Sequence, residues 1–342
     1  MPMKLLIVTQ VVDRHHSNLG FFHRWIEEFA KHCETVQVIC LQEGEHALPE
    51  NVRVHSLGKE AGASRIARLW RFYALAWSLR RTYDAVLVHM NPEYVVLAGL
   101  LWRLWGKRVG LWYMHRSVTW KLKVAARLVH IIFTGSPESC RVESDKILVT
   151  GHGIDLLPFE HAGHVPSPDG TVRLVTIGRI SDSKGVREMV EARAQLERRG
   201  MSATLSVAGS SLTTDDATYA AGLMADAREG VTFRGPIARE DIPALLAQAD
   251  MFLNLSNTGS LDKAVLEALA AGVPAISSNE AFKTMLEPHG LFVERDATAV
   301  ADVIERFLAR DDRAAIIAKL QQEVREKHSL QKLVPRIVEH LS

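Results

Sequence analysis

Cysteine is scarce: the 342-residue sequence has three, Cys33, Cys40 and Cys140. They are odd in number, scattered, and form no CxxC pair, which argues against a disulfide framework or a zinc site and fits a reducing cytoplasm. Long apolar runs are missing as well. The run Val95–Trp102 is broken by Arg103, far short of the roughly 20 residues needed to span a bilayer. The N-terminus lacks the sectors of a signal peptide and goes straight into Lys4-Leu5-Leu6-Ile7-Val8. Nor does one sign of charge dominate. Lys and Arg number 41 against 40 Asp and Glu, too even to imply nucleic acid. No repeat of solenoid period is visible. The dinucleotide fingerprint GxGxxG follows the first strand of neither half, and Gly151-His152-Gly153 lacks the third glycine, so a nicotinamide-dependent dehydrogenase is disfavoured.

What is present is an ordinary globular composition, 47% hydrophobic and 24% charged, in a chain long enough for two domains. The balance of charge differs between halves. Residues 1–165 carry 20 Lys and Arg against 15 Asp and Glu, and residues 166–342 carry 21 against 25. Short Val- and Ile-rich runs recur without alternation, the pattern of strands buried on both faces of a parallel sheet. In the first half they are Leu5–Val12, Val36–Leu41, Val52–Leu57, Ala85–Met90, Val109–Tyr113, Ile131–Thr134 and Ile147–Thr150. In the second they are Arg173–Ile177, Thr204–Ala208, Val231–Arg234, Met251–Leu255, Pro274–Ser277 and Leu291–Val293. Helical stretches separate them, among them Phe21–His32, Ser64–Arg81, Gly185–Arg199, Arg239–Gln248 and Lys263–Ala271. The reading is an α/β chain of two doubly wound Rossmann-like domains. An N-terminal domain spans 1–157, a Pro/Gly-bearing linker 158–171 and a C-terminal domain 172–325. A helical segment, 326–342, is expected to pack back toward the first domain.

Chemistry is expected at the carboxyl ends of such strands. Gly178-Arg179-Ile180-Ser181-Asp182-Ser183-Lys184-Gly185 joins a strand to a helix start. Two cations and free backbone N–H groups there suit a phosphate; a solvated turn is the plain alternative. Asn257-Thr258-Gly259-Ser260-Leu261-Asp262-Lys263 opens a second helix, which Ser260 or Thr258 could cap. Glu267 lies one turn in, on the face of Lys263. It reads either as a weak intrahelical ion pair or as the acceptor of two ribose hydroxyls.

In order and spacing, four segments resemble the group-1 (GT4-type) retaining glycosyltransferases of GT-B fold. They are Gly178-Arg179 with Lys184-Gly185, Val207-Ala208-Gly209-Ser210, Val231-Thr232-Phe233-Arg234-Gly235, and Leu266-Glu267-Ala268-Leu269-Ala270-Ala271-Gly272-Val273-Pro274. Gly151-His152-Gly153-Ile154-Asp155 is similar to the family's crossing into its linker. The resemblance implies two domains facing across a cleft. It also implies a nucleotide-diphosphate sugar as co-substrate, with no other cofactor and no metal. A hexose-type sugar would go to a glycan or lipid-linked acceptor in cell-envelope or exopolysaccharide synthesis. Catalytic roles fall on His115, which would hydrogen-bond the sugar, and on Arg179 and Lys184, which would clamp the diphosphate. Donor binding falls on Gly178, Gly209, Ser210, Gly235, Ile237, Gly259, Ser260, Leu261, Asp262, Lys263 and Glu267. Where the family usually has a second Glu, eight positions before Glu267, this chain has Gly259, and Asp262 or Ser260 is the expected substitute. A non-catalytic nucleotide-sugar-binding protein of the same fold is the alternative that this departure supports.

Acceptor binding is expected after the first strand, at Asp13, Asn18 and Gly20, with simple turn chemistry as the counter-reading. Asp215-Asp216 reads as a solvated helix cap. Ser64–Arg81 interleaves Arg65, Arg68 and Arg71 with Ile66, Leu69, Trp70, Tyr73 and Trp77. The simpler reading is a core helix with arginines on its wet face. The other is a helix lying on the cytoplasmic leaflet of a membrane.

Overall fold

The computed structural model describes residues 3–16, 19–159, 163–226 and 229–342. The chain forms two compact units, Met1–Asp155 with Ser329–Ser342, and Leu156–His328.

The first unit holds seven parallel strands in the order β3-β2-β1-β4-β5-β6-β7. They are β1 Lys4–Val12, β2 Thr35–Glu43, β3 Val52–Ser56, β4 Ala85–His89, β5 Arg108–Trp112, β6 Ile131–Thr134 and β7 Ile147–Val149. Helices α1 (Phe21–His32), α2 (Arg65–Ser78), α3 (Pro92–Leu104) and α4 (Trp120–Leu128) connect them. Strand pleating sends alternate residues to opposite faces. Leu5 and Ile7 of β1 join a cluster with Phe22, Trp25 and Phe29 of α1. Leu6 and Val8 join Phe72, Val95, Trp102 and Leu122 from α2, α3 and α4. A sheet buried on both sides needs apolar residues at both parities, so the runs read as continuous.

The second unit repeats the plan with five parallel strands in the order β10-β9-β8-β11-β12. These are β8 Val172–Ile177, β9 Ala203–Ala208, β10 Val231–Gly235, β11 Met251–Asn254 and β12 Ala275–Ser277. Its helices are α5 Val186–Arg198, α6 Thr214–Asp226, α7 Ile242–Ala247, α8 Lys263–Ala270, α9 Lys283–Leu286, α10 Ala297–Leu308 and α11 Arg313–Lys327. Two expectations differ. Leu291–Val293 is no strand: Phe292 makes one isolated bridge to Ser277. Arg239–Gln248 divides into a 3-10 turn, Arg239–Asp241, and α7. Pro243 falls in the first turn of α7, where its missing N–H costs nothing, so the helix starts there.

The last helix, α12 (Leu330–Leu341), returns to the first unit and buries Leu330, Leu333, Val334, Ile337 and Leu341 in the α1 cluster. The cysteines are buried and unbridged, and burial pushes the Cys33 and Cys40 thiols up to about 12. Among the described residues no helix is long and apolar enough to cross a membrane.

Candidate active site

In each unit the strand order reverses beside the first strand of the sheet: between β1 and β4, and between β8 and β11. The loops leaving the carboxyl ends of such a strand pair diverge and leave a crevice. In the second unit those loops are Gly178–Gly185 and Leu255–Asp262, the two segments expected to bind the donor.

Backbone bonds stitch the strand ends beneath them. The Gly178 N–H donates to Ala208 (2.9 Å), the Gly209 N–H to Gly235 (2.7 Å) and the Ile180 N–H to Ser210 (3.1 Å). The fit allows no side chain at 209. Its φ is 141°, and an added Cβ would stand 1.8 Å from the Gly178 carbonyl oxygen. Gly209→Ala is therefore expected to destabilise the chain by about 2 kcal/mol or more. Urea unfolding would measure it, and an unchanged midpoint would contradict the close approach.

Arg179 and Lys184 each meet a carboxylate. Lys184 Nζ donates to Asp262 Oδ1 at 2.6 Å, both side chains about one-fifth exposed. The other carboxylate oxygen of Asp262 accepts from Asn254 Nδ2 at 2.9 Å, and Asn254 Oδ1 accepts from Ser277 Oγ at 2.9 Å. A polar chain thus runs from β12 through β11 to Lys184. Arg179 donates to Ser183 Oγ (3.4 Å), and its Nε lies 3.9 Å from Asp216 Oδ2. Asp216 is no solvated residue. It caps α6 reciprocally with Thr213, each backbone N–H donating to the other's side chain (3.1 and 3.3 Å). The same carboxylate faces Arg179, and its side chain is 13% exposed. Asn257 N–H donates to the Ser183 carbonyl (3.2 Å), tying the two loops together. Arg295 braces the turn from behind, donating to Glu188 (2.8 Å) and Asp182 (3.2 Å).

The start of α8 differs from expectation. Asp262 is the N-cap residue, not Ser260 or Thr258, and its side chain does not cap the helix because the carboxylate is turned to Lys184 and Asn254. The Ser260 carbonyl accepts from Asn279 Nδ2 (2.8 Å), and Leu261 is buried. Gly259 has φ 67°, a left-handed conformation. A glutamate there would pay about 1 kcal/mol or more for its Cβ, so this turn is shaped for glycine. Glu267 is buried, with Arg239 Nη2 at 3.7 Å from Oε1. Desolvation pulls the Lys263 ammonium down to about 7, against the opposing pull of Glu267. Beside Gly235, half-buried Ile237 lines a cavity of about 350 Å³ with Arg234, Pro236 and Leu245.

The remaining candidates belong to the first unit. His115 is exposed beyond β5, and its Nδ1 accepts the Ser117 N–H at 3.0 Å. With Nδ1 accepting, the neutral ring carries its proton on Nε2, which is then a donor. The Asp13 carboxylate accepts the His15 N–H (2.9 Å), and Gly20 N–H donates to the His16 carbonyl (2.9 Å) at the start of α1. Both contacts are turn chemistry. Asn18 lies outside the described residues. Across this unit's strand reversal, Gln10 Nε2 donates to Asn91 Oδ1 (2.7 Å). Beside it Met90 has φ 62°, the one non-glycine with positive φ among the described residues. Neither Asn91 nor Met90 was singled out in the sequence, where they close an unremarkable apolar run. Among the described residues no group of three or more His, Cys, Asp or Glu could hold a metal ion.

Residues 171–310 match the family model described as Glycosyl transferases group 1. The chain is 25% identical over 217 residues to a putative colanic acid biosynthesis glycosyltransferase of Salmonella typhimurium, covering 58% of this chain and 52% of that one. It is 30% identical over 161 residues to a GDP-mannose-dependent alpha-(1-6)-phosphatidylinositol monomannoside mannosyltransferase of Mycobacterium tuberculosis, covering 44% and 42%. The matched stretch with the first of these thus spans about half that relative's length. Among solved structures, HepE of Anabaena in complex with UDP superposes with a TM-score of 0.78 at 17% identity, covering 99% of both chains. A glycosyltransferase of Rickettsia africae superposes at 0.75 and 16%, covering 99% and 98%. These likenesses carry the fold, and the family match falls on the unit that holds Arg179, Lys184 and Glu267. Over residues 171–310, within its second unit, the chain matches the group 1 glycosyl transferases, and its fold is GT-B.

Proposed function

We propose that this chain moves a hexose-type sugar from a nucleoside-diphosphate donor to a hydroxyl of a glycan or lipid-linked acceptor, with retention of anomeric configuration. The observation that carries the reading is the placement of Arg179, Lys184 and the start of α8 on the two loops that diverge at the strand reversal of the second unit. Departure of a nucleoside diphosphate builds negative charge, and preorganised cations and N–H groups stabilise it without reorganising. Glu267 takes the ribose hydroxyls, backbone at Gly235–Ile237 meets the base, and the Gly259–Lys263 turn lies over phosphates and sugar. His115 Nε2–H is assigned to a hydroxyl of the transferred sugar. The developing oxocarbenium ion is attacked by the acceptor on the face the phosphate leaves, and the leaving phosphate helps take the acceptor's proton. The names of the matched relatives and the UDP and UDP-glucose complexes of HepE support a nucleotide-sugar donor, and the colanic acid relative supports envelope polysaccharide as the product class.

A screen of UDP, GDP and their sugars by thermal shift should find one that raises the melting temperature, since a ligand bound only by the folded state stabilises it. Product from that donor and an acceptor series, with the anomeric centre read by NMR, tests the chemistry; an inverted product would overturn retention. No metal is assigned to the reaction. Transfer is expected to continue in excess chelator, and complete loss restored by a divalent ion would reverse that assignment. Gly259 favours a second reading, a nucleotide-sugar-binding protein without catalysis. Tight donor binding with neither transfer nor donor hydrolysis would establish it.

A further inference from the structure

The helical layer on one face of the first sheet has two apolar sides. α2 turns Phe72 and Ala76 into the core. Its opposite side carries Ile66, Trp70 and Trp77, spaced four and seven residues apart, and these stay 71%, 73% and 58% exposed. On α3, Ala98 and Trp102 are buried, while Leu100 and Leu104 are 60% and 73% exposed. Core packing accounts for the inner residues and leaves the outer ones unexplained. The two outer stripes join. Tyr73 Oη donates to the Leu97 carbonyl (3.1 Å), and the Trp77 and Trp105 rings meet edge to face at 5.7 Å. The stretch of sequence that carries this layer is rich in cations. Residues 61–137 contain twelve Lys and Arg and two acids, Asp84 and Glu93. Lys121 already pairs with Glu93, and Arg80 lies 4.0 Å over the Trp77 ring.

We infer that this face docks on the surface of an anionic lipid bilayer. Tryptophan and leucine suit the boundary between headgroups and acyl chains, and the surrounding arginines suit the anionic headgroups. A second copy of the chain would set two such basic faces against each other. A nucleic acid would match the arginines and leave Ile66, Leu100 and Leu104 with nothing to pack on. The inference is independent of the transfer reaction, because docking is read without donor or acceptor.

The test is co-sedimentation of the purified chain with vesicles of phosphatidylglycerol and phosphatidylethanolamine, against vesicles of phosphatidylcholine, at low salt. Binding is expected to the anionic vesicles and to fall at least tenfold in Trp70→Ser/Leu104→Ser and in Arg65→Glu/Arg81→Glu. All four side chains are solvent-facing, so melting temperatures and far-ultraviolet dichroism should match the parent. No binding to anionic vesicles would overturn the inference. So would loss of binding in the arginine variant with full binding in the Trp70/Leu104 variant, which would be electrostatic adsorption alone. Lipid-free self-association that the same variants abolish, seen by analytical ultracentrifugation, would assign the face to a second copy instead.

Discussion

Lys184→Ala and Arg179→Ala are each expected to lower turnover by at least tenfold, about 1.4 kcal/mol of barrier. The two cations are placed before any ligand arrives: Lys184 by Asp262 and the Asn254–Ser277 chain, Arg179 by Ser183 and Asp216. Groups already oriented toward developing charge spend little on reorganisation, which is what makes them effective in the transition state. Lys184→Ala should be the more damaging change. It leaves the Asp262 carboxylate with Asn254 alone, beside the loop proposed to hold the diphosphate. Steady-state release of nucleoside diphosphate would measure both variants, with melting temperature as the control for folding. Rates near the parent in both would remove the diphosphate clamp from the mechanism.

Glu267→Gln is expected to weaken nucleotide binding by tenfold or more, with melting temperature as the control for folding. A buried carboxylate accepting two ribose hydroxyls makes charge-assisted bonds of roughly 1.5–3 kcal/mol each, and the amide replaces one acceptor with a donor of the wrong sense. The neighbouring Arg239 is 39% exposed and can be satisfied by water, whereas Lys263 loses the charge that opposes its desolvation, so part of the cost falls on stability. Calorimetry on the nucleotide from the thermal-shift screen decides the matter. Equal affinity in parent and variant would return Glu267 to its plainer reading, a partner for nearby cations.

Much of the fold could be read from the sequence because a sheet buried on both faces writes its strands as unbroken Val/Ile runs; β6 is found at the bounds read for it, and most others within a residue or two. Leu291–Val293 misled because three apolar residues satisfy the same rule while pairing at a single point. The candidate loops stood out for a different reason: glycine, Arg and Lys between a strand and a helix suit an anion, while a solvated turn can have the same residues. Their counter-charges did not. Asp262 is 78 residues from Lys184 in sequence, and nothing local to Asp216 or Arg295 reveals which loop each supports. Such pairings are made by the sheet, which brings the ends of β8, β9 and β11 side by side. The capping error has the same origin. Serine and threonine at 260 and 258 are good caps by type, but the backbone enters α8 at Asp262, whose own carboxylate is taken by a residue from another loop.

The return of α12 reverses the usual order in which a newly made chain completes its domains. The face of α1 bearing Phe22, Trp25 and Phe29 is sealed by Leu330, Leu333, Val334, Ile337 and Leu341, which emerge from the ribosome only after the whole of the intervening unit. The first-made unit is thus the last that can finish. During synthesis its Phe22, Trp25 and Phe29 flank stays uncovered until α12 is made, while the later-made unit, continuous in sequence, is free to fold ahead of it.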